Sequence, residues 1–231
     1  SKHKPARPLY TEQEARAALK RFECVAFDEE CSPWPGWSWR LARAGHILGA
    51  GSVRVEWKEG SILFSGDLGR SDDLVMRPPQ QAAPADYVVV ESTYGNRRHL
   101  QADALGELAA VINRTAARGG VLVVPAFAVG RAQTLLHCIQ LLKREGRIPD
   151  MPVYLNSPMA ADATRLYKAH LDEHRMSAEQ CAEMSGKTII VNTLEESKRL
   201  NTLSYPSIIV SASGMATGGR VLHHLKAYAP D

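Results

Sequence analysis

Three short stretches carry side chains that bind metal ions or move protons, each beside glycines that clear space around them. In Ala44-Gly-His46-Ile-Leu-Gly-Ala50 an imidazole follows a strand-like run. A neutral imidazole nitrogen is a good zinc donor, although a single histidine among small residues serves structure just as readily. In Phe64-Ser-Gly-Asp67-Leu-Gly-Arg70 an apolar run delivers a carboxylate onto a glycine-bracketed turn. Carboxylate oxygens can bridge two metal ions; the alternative is an aspartate that caps its own turn. In Val88-Val-Val-Glu91-Ser-Thr-Tyr-Gly95 a β-branched run ends on an acid. Acids beyond the carboxyl ends of parallel strands face the crevice where such sheets hold ligands, and a turn-forming glutamate is the plain alternative.

A second group suits anions. The stretch from Ser211 to Arg220 holds Ser213, Gly214, Met215, Gly218, Gly219 and Arg220 ahead of a helical pattern with Val221, Leu222 and Leu225. Free backbone N–H groups at such a junction can face a phosphate. Arg131, just after Gly130, can add a bidentate phosphate contact. A helix cap and a surface arginine are the plain alternatives. His137 lies beside the apolar stripe of its helix. His170 and His174 are expected on one polar helix face, and His223 and His224 in the closing helix.

The elements that must position these groups follow from pattern. Thr11 and Glu14 form a capping box before an Ala-rich helix over Thr11 to Arg21. The prolines and glycine of Ser32-Pro-Trp-Pro-Gly-Trp37-Ser-Trp39 impose turns, and Trp37 and Trp39 share a strand face. Their expected role is core packing, with a ligand-stacking surface as the alternative. Val53 to Trp57 and Ser61 to Ser65 read as a hairpin closed by Lys58-Glu59-Gly60. Ser71 to Asp86, rich in Pro, Gln, Ala and Asp, reads as an exposed connection.

The rhythm then becomes strand and helix in alternation. Tyr87–Val90, Val121–Val124, Val153–Leu155, Thr188–Val191 and Ser207–Val210 have the short, β-branched look of buried parallel strands. Arg131 to Arg144 is the clearest helix, with Leu135, Leu136, Ile139 and Leu142 on one stripe and Gly146 to stop it. Ser157-Pro158 opens another. Alternating βα units imply a parallel sheet covered by helices on both faces.

The 231 residues are 45% hydrophobic and 23% charged, values of a globular protein and not of a disordered one. The longest apolar runs are far below the roughly 20 residues of a membrane span. Lys2, Lys4 and Arg7 have no apolar stretch behind them, so no signal peptide is read and a cytoplasmic location is the default. Four cysteines without a CxxC pair read as reduced. A net charge of +3 permits a nucleic-acid partner without requiring one.

The order of A-G-H-I-L-G-A, F-S-G-D-L-G-R and V-V-V-E-S-T-Y-G resembles the metallo-β-lactamase-fold RNA-processing nucleases of the β-CASP family. So do Pro125 to Gln133, Asn156-Ser-Pro-Met-Ala160 and Ser211 to Arg220. The resemblance implies an α/β fold: a parallel-sheet β-CASP domain over residues 100–231, joined to a partial metallo-β-lactamase αββα sandwich over residues 1–99. It implies two zinc ions, with His46 a ligand, Asp67 the carboxylate bridging them and Glu91 the acid that orients a catalytic histidine. RNA would be cut at its phosphodiester bonds, internally or from the 5′ end, by a hydroxide shared between the metals. Its phosphates would meet Arg131, Ser157, Ser213, Gly214, Met215, Gly218, Gly219 and Arg220.

The family's HxHxDH motif is absent, and its later histidine motifs would fall beyond Pro230-Asp231. His46 and Asp67 fall short of the three or four ligands of a stable zinc site. The expectation is therefore an internal piece of a zinc-dependent ribonuclease, its β-CASP part incomplete at the C-terminal end, weak in zinc and inactive alone. A catalytically silent RNA-binding or scaffolding member of the same fold is the alternative, against which the intact His46 and Asp67 speak. A P-loop nucleotide site is disfavoured, since Ser211 to Arg220 lacks GK[ST]. No membrane partner is expected. Oligomeric state is left open, with a homodimer compatible.

Overall fold

A computed structural model describes residues 8–98 and 103–229. Lys2, Lys4, Arg7, the expected domain boundary at 99/100 and the final Pro230-Asp231 lie outside the described residues. The fold is mixed α/β, built on two sheets.

The first sheet has the order β1 (Glu30–Trp34), β2 (Trp37–Arg43), β3 (Gly51–Trp57), β4 (Gly60–Phe64), β5 (Tyr87–Val89). The first four strands run antiparallel, and β5 joins β4 in parallel. Pro35 and Gly36, the latter at φ +79°, turn β1 into β2. Lys58 and Glu59 form the two-residue connection that pairs Trp57 with Gly60. A helix, α1 (Glu12–Leu19), precedes the sheet, with the expected capping box on Thr11 and Glu14.

The second sheet is wholly parallel, in the order β6 (Val121–Pro125), β9 (Ser207–Ser211), β7 (Val153–Asn156), β8 (Ile189–Ile190). Side chains alternate across it. Val153, Leu155, Ile208 and Val210 pack with Ile112 of α2 (Ala104–Ala117), Leu136, Ile139 and Leu142 of α3 (Arg131–Arg144), Tyr167 of α4 (Pro158–Ala169) and Met184 of α5 (Ala178–Gly186). Tyr154 and Ile209 face the other way. They pack with Val191, with Leu200 beyond α6 (Leu194–Arg199), and with Tyr228 of α7 (Val221–Tyr228). Helices thus cover both faces. The expected limits of α3 coincide with the observed ones, and Gly146 lies beyond it at φ +66°.

Four expectations change. Strand β5 belongs to the first sheet and is not buried: Tyr87 and Val90 are 62% and 61% exposed, and Val88 and Val89 more than half. Its apolar run looks like a buried strand, but no layer of the described residues covers it. The connection Ser71–Asp86 is not exposed throughout. Val75 and Met76 enter the main core, held by Asp73, whose Oδ1 accepts from their backbone N–H groups at 2.8 and 2.7 Å. His174 does not share a helix face with His170. It lies past α4, 1% exposed, with Nδ1 accepting from Met176 N and Nε2 donating to Tyr167 O. Finally, Trp37 stacks on Trp57 at 5.5 Å while still 44% exposed, so it is no core residue.

The two sheets are joined through this same region. Arg43 makes a two-pronged pair with Glu173 at 2.7 and 2.9 Å and lies 4.9 Å over Phe27. Met76 bridges His174, and Arg175 N donates to Val75 O. These contacts tie the end of β2 and residues 75–76 to the segment between α4 and α5.

Candidate functional site

His46 stands on the loop between β2 and β3, and Asp67 on the turn after β4. The backbone fixes their approach. Gly45 pairs with Leu68 across the two loops, and Gly69 N donates to Ala44 O at 2.8 Å. A Cβ at Gly69 would fall 1.9 Å from Gly45 O, so only glycine allows this contact. The outcome is His46 Nε2 at 3.9 Å from Asp67 Oδ2, with both side chains exposed. Two donors on one zinc at about 2.0–2.2 Å in tetrahedral array stand roughly 3.5 Å apart. The pair therefore fits two neighbouring ligand positions. Among the described residues no third histidine, cysteine or acid completes a metal-binding group.

Glu91 serves the turn that carries Asp67. Its Oε1 accepts from Leu68 N at 3.0 Å and its Oε2 from Thr93 N at 3.2 Å, while Glu91 N donates to the buried Ser65 Oγ. These bonds, Leu68 N–H first, and the neighbouring His46 hold its carboxyl below the usual glutamate range. Glu91 is a fixed anion beside the pair.

The parallel sheet supplies the other wall. Its carboxyl ends lead into 126–130, Asn156-Ser157, Asn192-Thr193 and 212–220, the side where open α/β sheets hold ligands. Gly130, at φ +81°, leaves room for Ile47: a Cβ there would meet Ile47 Cγ2 at 2.8 Å. Arg131, at the first position of α3, is thereby next to the His46 loop and is exposed. Gly214 is as tight, since a Cβ would meet Phe127 N at 2.7 Å. In 212–220 the backbone N–H groups of Gly214, Met215, Thr217, Gly218 and Gly219 donate to no acceptor among the described residues. Phe127 and Met215, 54% and 68% exposed, stand at this end.

Not every expected phosphate contact is free to act. Ser157 is buried, and its hydroxyl accepts from Ala160 N as the cap of α4. Arg220 bolts the loop to the strand ends: Nη1 donates to Asn156 Oδ1 at 2.9 Å and Val191 O at 3.2 Å, Nη2 to Asn192 O at 2.8 Å. Ser213, Gly214, Met215, Gly218 and Gly219 stay together on the loop.

Sequence reading missed the buried polar residues beneath this rim. Gln133 accepts from Gly130 N and donates to Ala160 O and Thr164 Oγ1, tying α3, its entry loop and α4 together. Asn156 and His224, both fully buried, hydrogen-bond at 2.6 Å. A glutamine inside an apolar helical stripe is a visible sign, whereas Asn156 and His224, 68 positions apart, signal nothing until the fold joins them.

A histidine–aspartate pair with a neighbouring glutamate on the rim of one sheet, close to the carboxyl end of a parallel sheet, defines an α/β protein with a candidate metal-binding edge. Residues 132–231 of the chain match the Beta-Casp domain. A ribonuclease of Thermus thermophilus is 34% identical over 80% of this chain and 44% of its own length. An RNase J-like protein of Methanocaldococcus jannaschii is 30% identical over 94% of this chain and 52% of its own. The transcription termination factor FttA of Methanosarcina mazei is 31% identical over 81% and 31%. The chain thus spans about half the length, or less, of these relatives.

Proposed function

We propose that this chain forms the RNA-holding side and one metal-binding edge of a zinc-dependent ribonuclease that hydrolyses RNA phosphodiester bonds. The observation that carries the reading is the seating of the exposed His46–Asp67 pair, through Ile47 and Gly130, beside Arg131 and a loop of undirected backbone N–H groups. The ribonuclease and RNase J-like names of the relatives support the same substrate. Residues 1–99 would form the metal-bearing unit and 100–231 the clamp.

Bound metal would supply Lewis acidity and a lowered water pKa. The work of this chain is placement. His46 and Asp67 present a nitrogen and a carboxylate, Glu91 fixes the Asp67 turn, and the loop amides with Arg131 hold phosphate oxygens near that edge. Phe127 and Met215 offer apolar surface for unstacked bases. No described helix is long and apolar enough to cross a membrane, and we place the protein in the cytoplasm on sequence alone.

Zinc titration followed by incubation with a fluorogenic single-stranded RNA tests the metal edge. Weak zinc binding, lost in His46→Ala, and no turnover are expected from two ligands. Stoichiometric zinc with metal-dependent cleavage by these 231 residues would overturn the two-ligand account.

A further inference from the structure

A pocket of about 410 Å³ opens beside the glycine-rich loop, between α6 and the first turn of α7. Ser197, Lys198, Asn201, Gly219, Arg220 and His223 line it. Its volume lies in the range of small-molecule sites, roughly 300–1,000 Å³.

The buried network behind this wall decides what the wall offers. Arg220 occupies Asn156 Oδ1, which turns Asn156 Nδ2 toward His224 Nε2 at 2.6 Å and Ser197 Oγ at 2.8 Å. His224 Nε2 must then accept, so the ring proton is on Nδ1, which donates to Asn201 Oδ1 at 2.6 Å. Asn201 thus has its acceptor turned inward and its NH₂ left for the pocket. Ser197 Oγ accepts from Asn156 and keeps its own hydrogen. Three donors of Arg220 are engaged, leaving Nε–H and one Nη2–H. Lys198 adds an ammonium, paired at the rim with Glu195 at 3.5 Å. Burial drives His224 down to about 4, so the ring is neutral and the arrangement holds at neutral pH.

A concave site whose wall offers donors and two cations suits an oxyanion. We propose that this pocket binds a phosphate group, at a place separate from the His46–Asp67 edge. The phosphate belongs either to an RNA backbone or to a free nucleotide; only the RNA source rests on the ribonuclease reading.

The test is NMR on the full chain, following the Asn201 side-chain NH₂ and the backbone N–H groups of Lys198, Gly219 and His223. Adenosine 5′-monophosphate, inorganic phosphate, adenosine and a single-stranded RNA with a 5′-hydroxyl are the probes. The expected result is a saturable shift with the monophosphate and none with adenosine. Lys198→Glu, an exposed position, should weaken binding at least tenfold, and Lys198→Arg should restore it. Competition by the RNA identifies a backbone phosphate as the natural occupant, and its failure to compete identifies a free nucleotide. Shifts with RNA alone also support the pocket. No shift with any phosphate-bearing probe overturns the proposal, as does adenosine binding as well as its monophosphate, or Lys198→Glu leaving affinity unchanged. Monophosphate binding without any RNA binding leaves the pocket standing and sinks the RNA-holding function.

Discussion

Two arginines near the glycine-rich loop differ in how far the fold engages them. Arg131 is exposed at the start of α3, whereas Arg220 is engaged by Asn156, Val191 and Asn192. Arg131→Gln should weaken RNA binding and reduce the salt slope of log K by about 1. Arg220→Gln should weaken binding more, because it frees the loop from the strand ends and also removes a cation from the pocket beside α6. Fluorescence anisotropy across a salt series reads both, and an unchanged RNA affinity in either variant would overturn the role given to that arginine. His224 gives a pH prediction. Its folded pKa of about 4 lies below the ordinary 6.5, so between these values the unfolded chain holds a proton that the folded chain does not. Stability is then full above pH 6.5 and falls as pH drops toward 4, by up to ~1.4 kcal/mol per pH unit for one such group. The depressed His137 acts in the same direction. Urea unfolding at pH 7 and pH 5 measures this, and His224→Gln should flatten the difference.

At the scale of elements, the joint between the loops after β2 and β4 governs the candidate metal edge. Gly69→Ala places a Cβ against Gly45 O and should part His46 from Asp67, lowering both zinc affinity and melting temperature. Wild-type zinc affinity in that variant would show that the Gly45–Leu68 bridge does not set the pair. The limits of α3, the Thr11 capping box, the hairpin at Lys58-Glu59 and the four strands of the parallel sheet were legible because period, caps and turn residues act locally. The exposure of β5 and the burial of Val75 and Met76 were not, because both depend on what packs from elsewhere. Likewise His46, Asp67 and Glu91 were legible as chemistry. Their meeting at 3.9 Å across the Gly45–Leu68 bridge was not, and neither was the diversion of Arg220 and Ser157 into structure.

For the whole molecule, apolar burial concentrates under α3 and is thin on the first sheet. Leu136, fully buried against the parallel sheet, should cost about 2–5 kcal/mol on replacement by alanine. Val89→Thr on the uncovered β5 should change stability by less than about 0.5 kcal/mol, both read by urea denaturation. Strand β5 is left uncovered by the described residues, and the chain spans about half the length, or less, of the relatives it matches. In the function proposed above, RNA lies along the carboxyl ends of the parallel sheet, next to the His46–Asp67 edge. Anisotropy of a labelled single-stranded RNA against wild type, Arg131→Gln and Phe127→Ala tests it most directly. Salt-sensitive binding by wild type is expected, weakened in both variants, by about 1–3 kcal/mol for the lost aromatic ring. No binding at low salt, or binding indifferent to both substitutions, would contradict it.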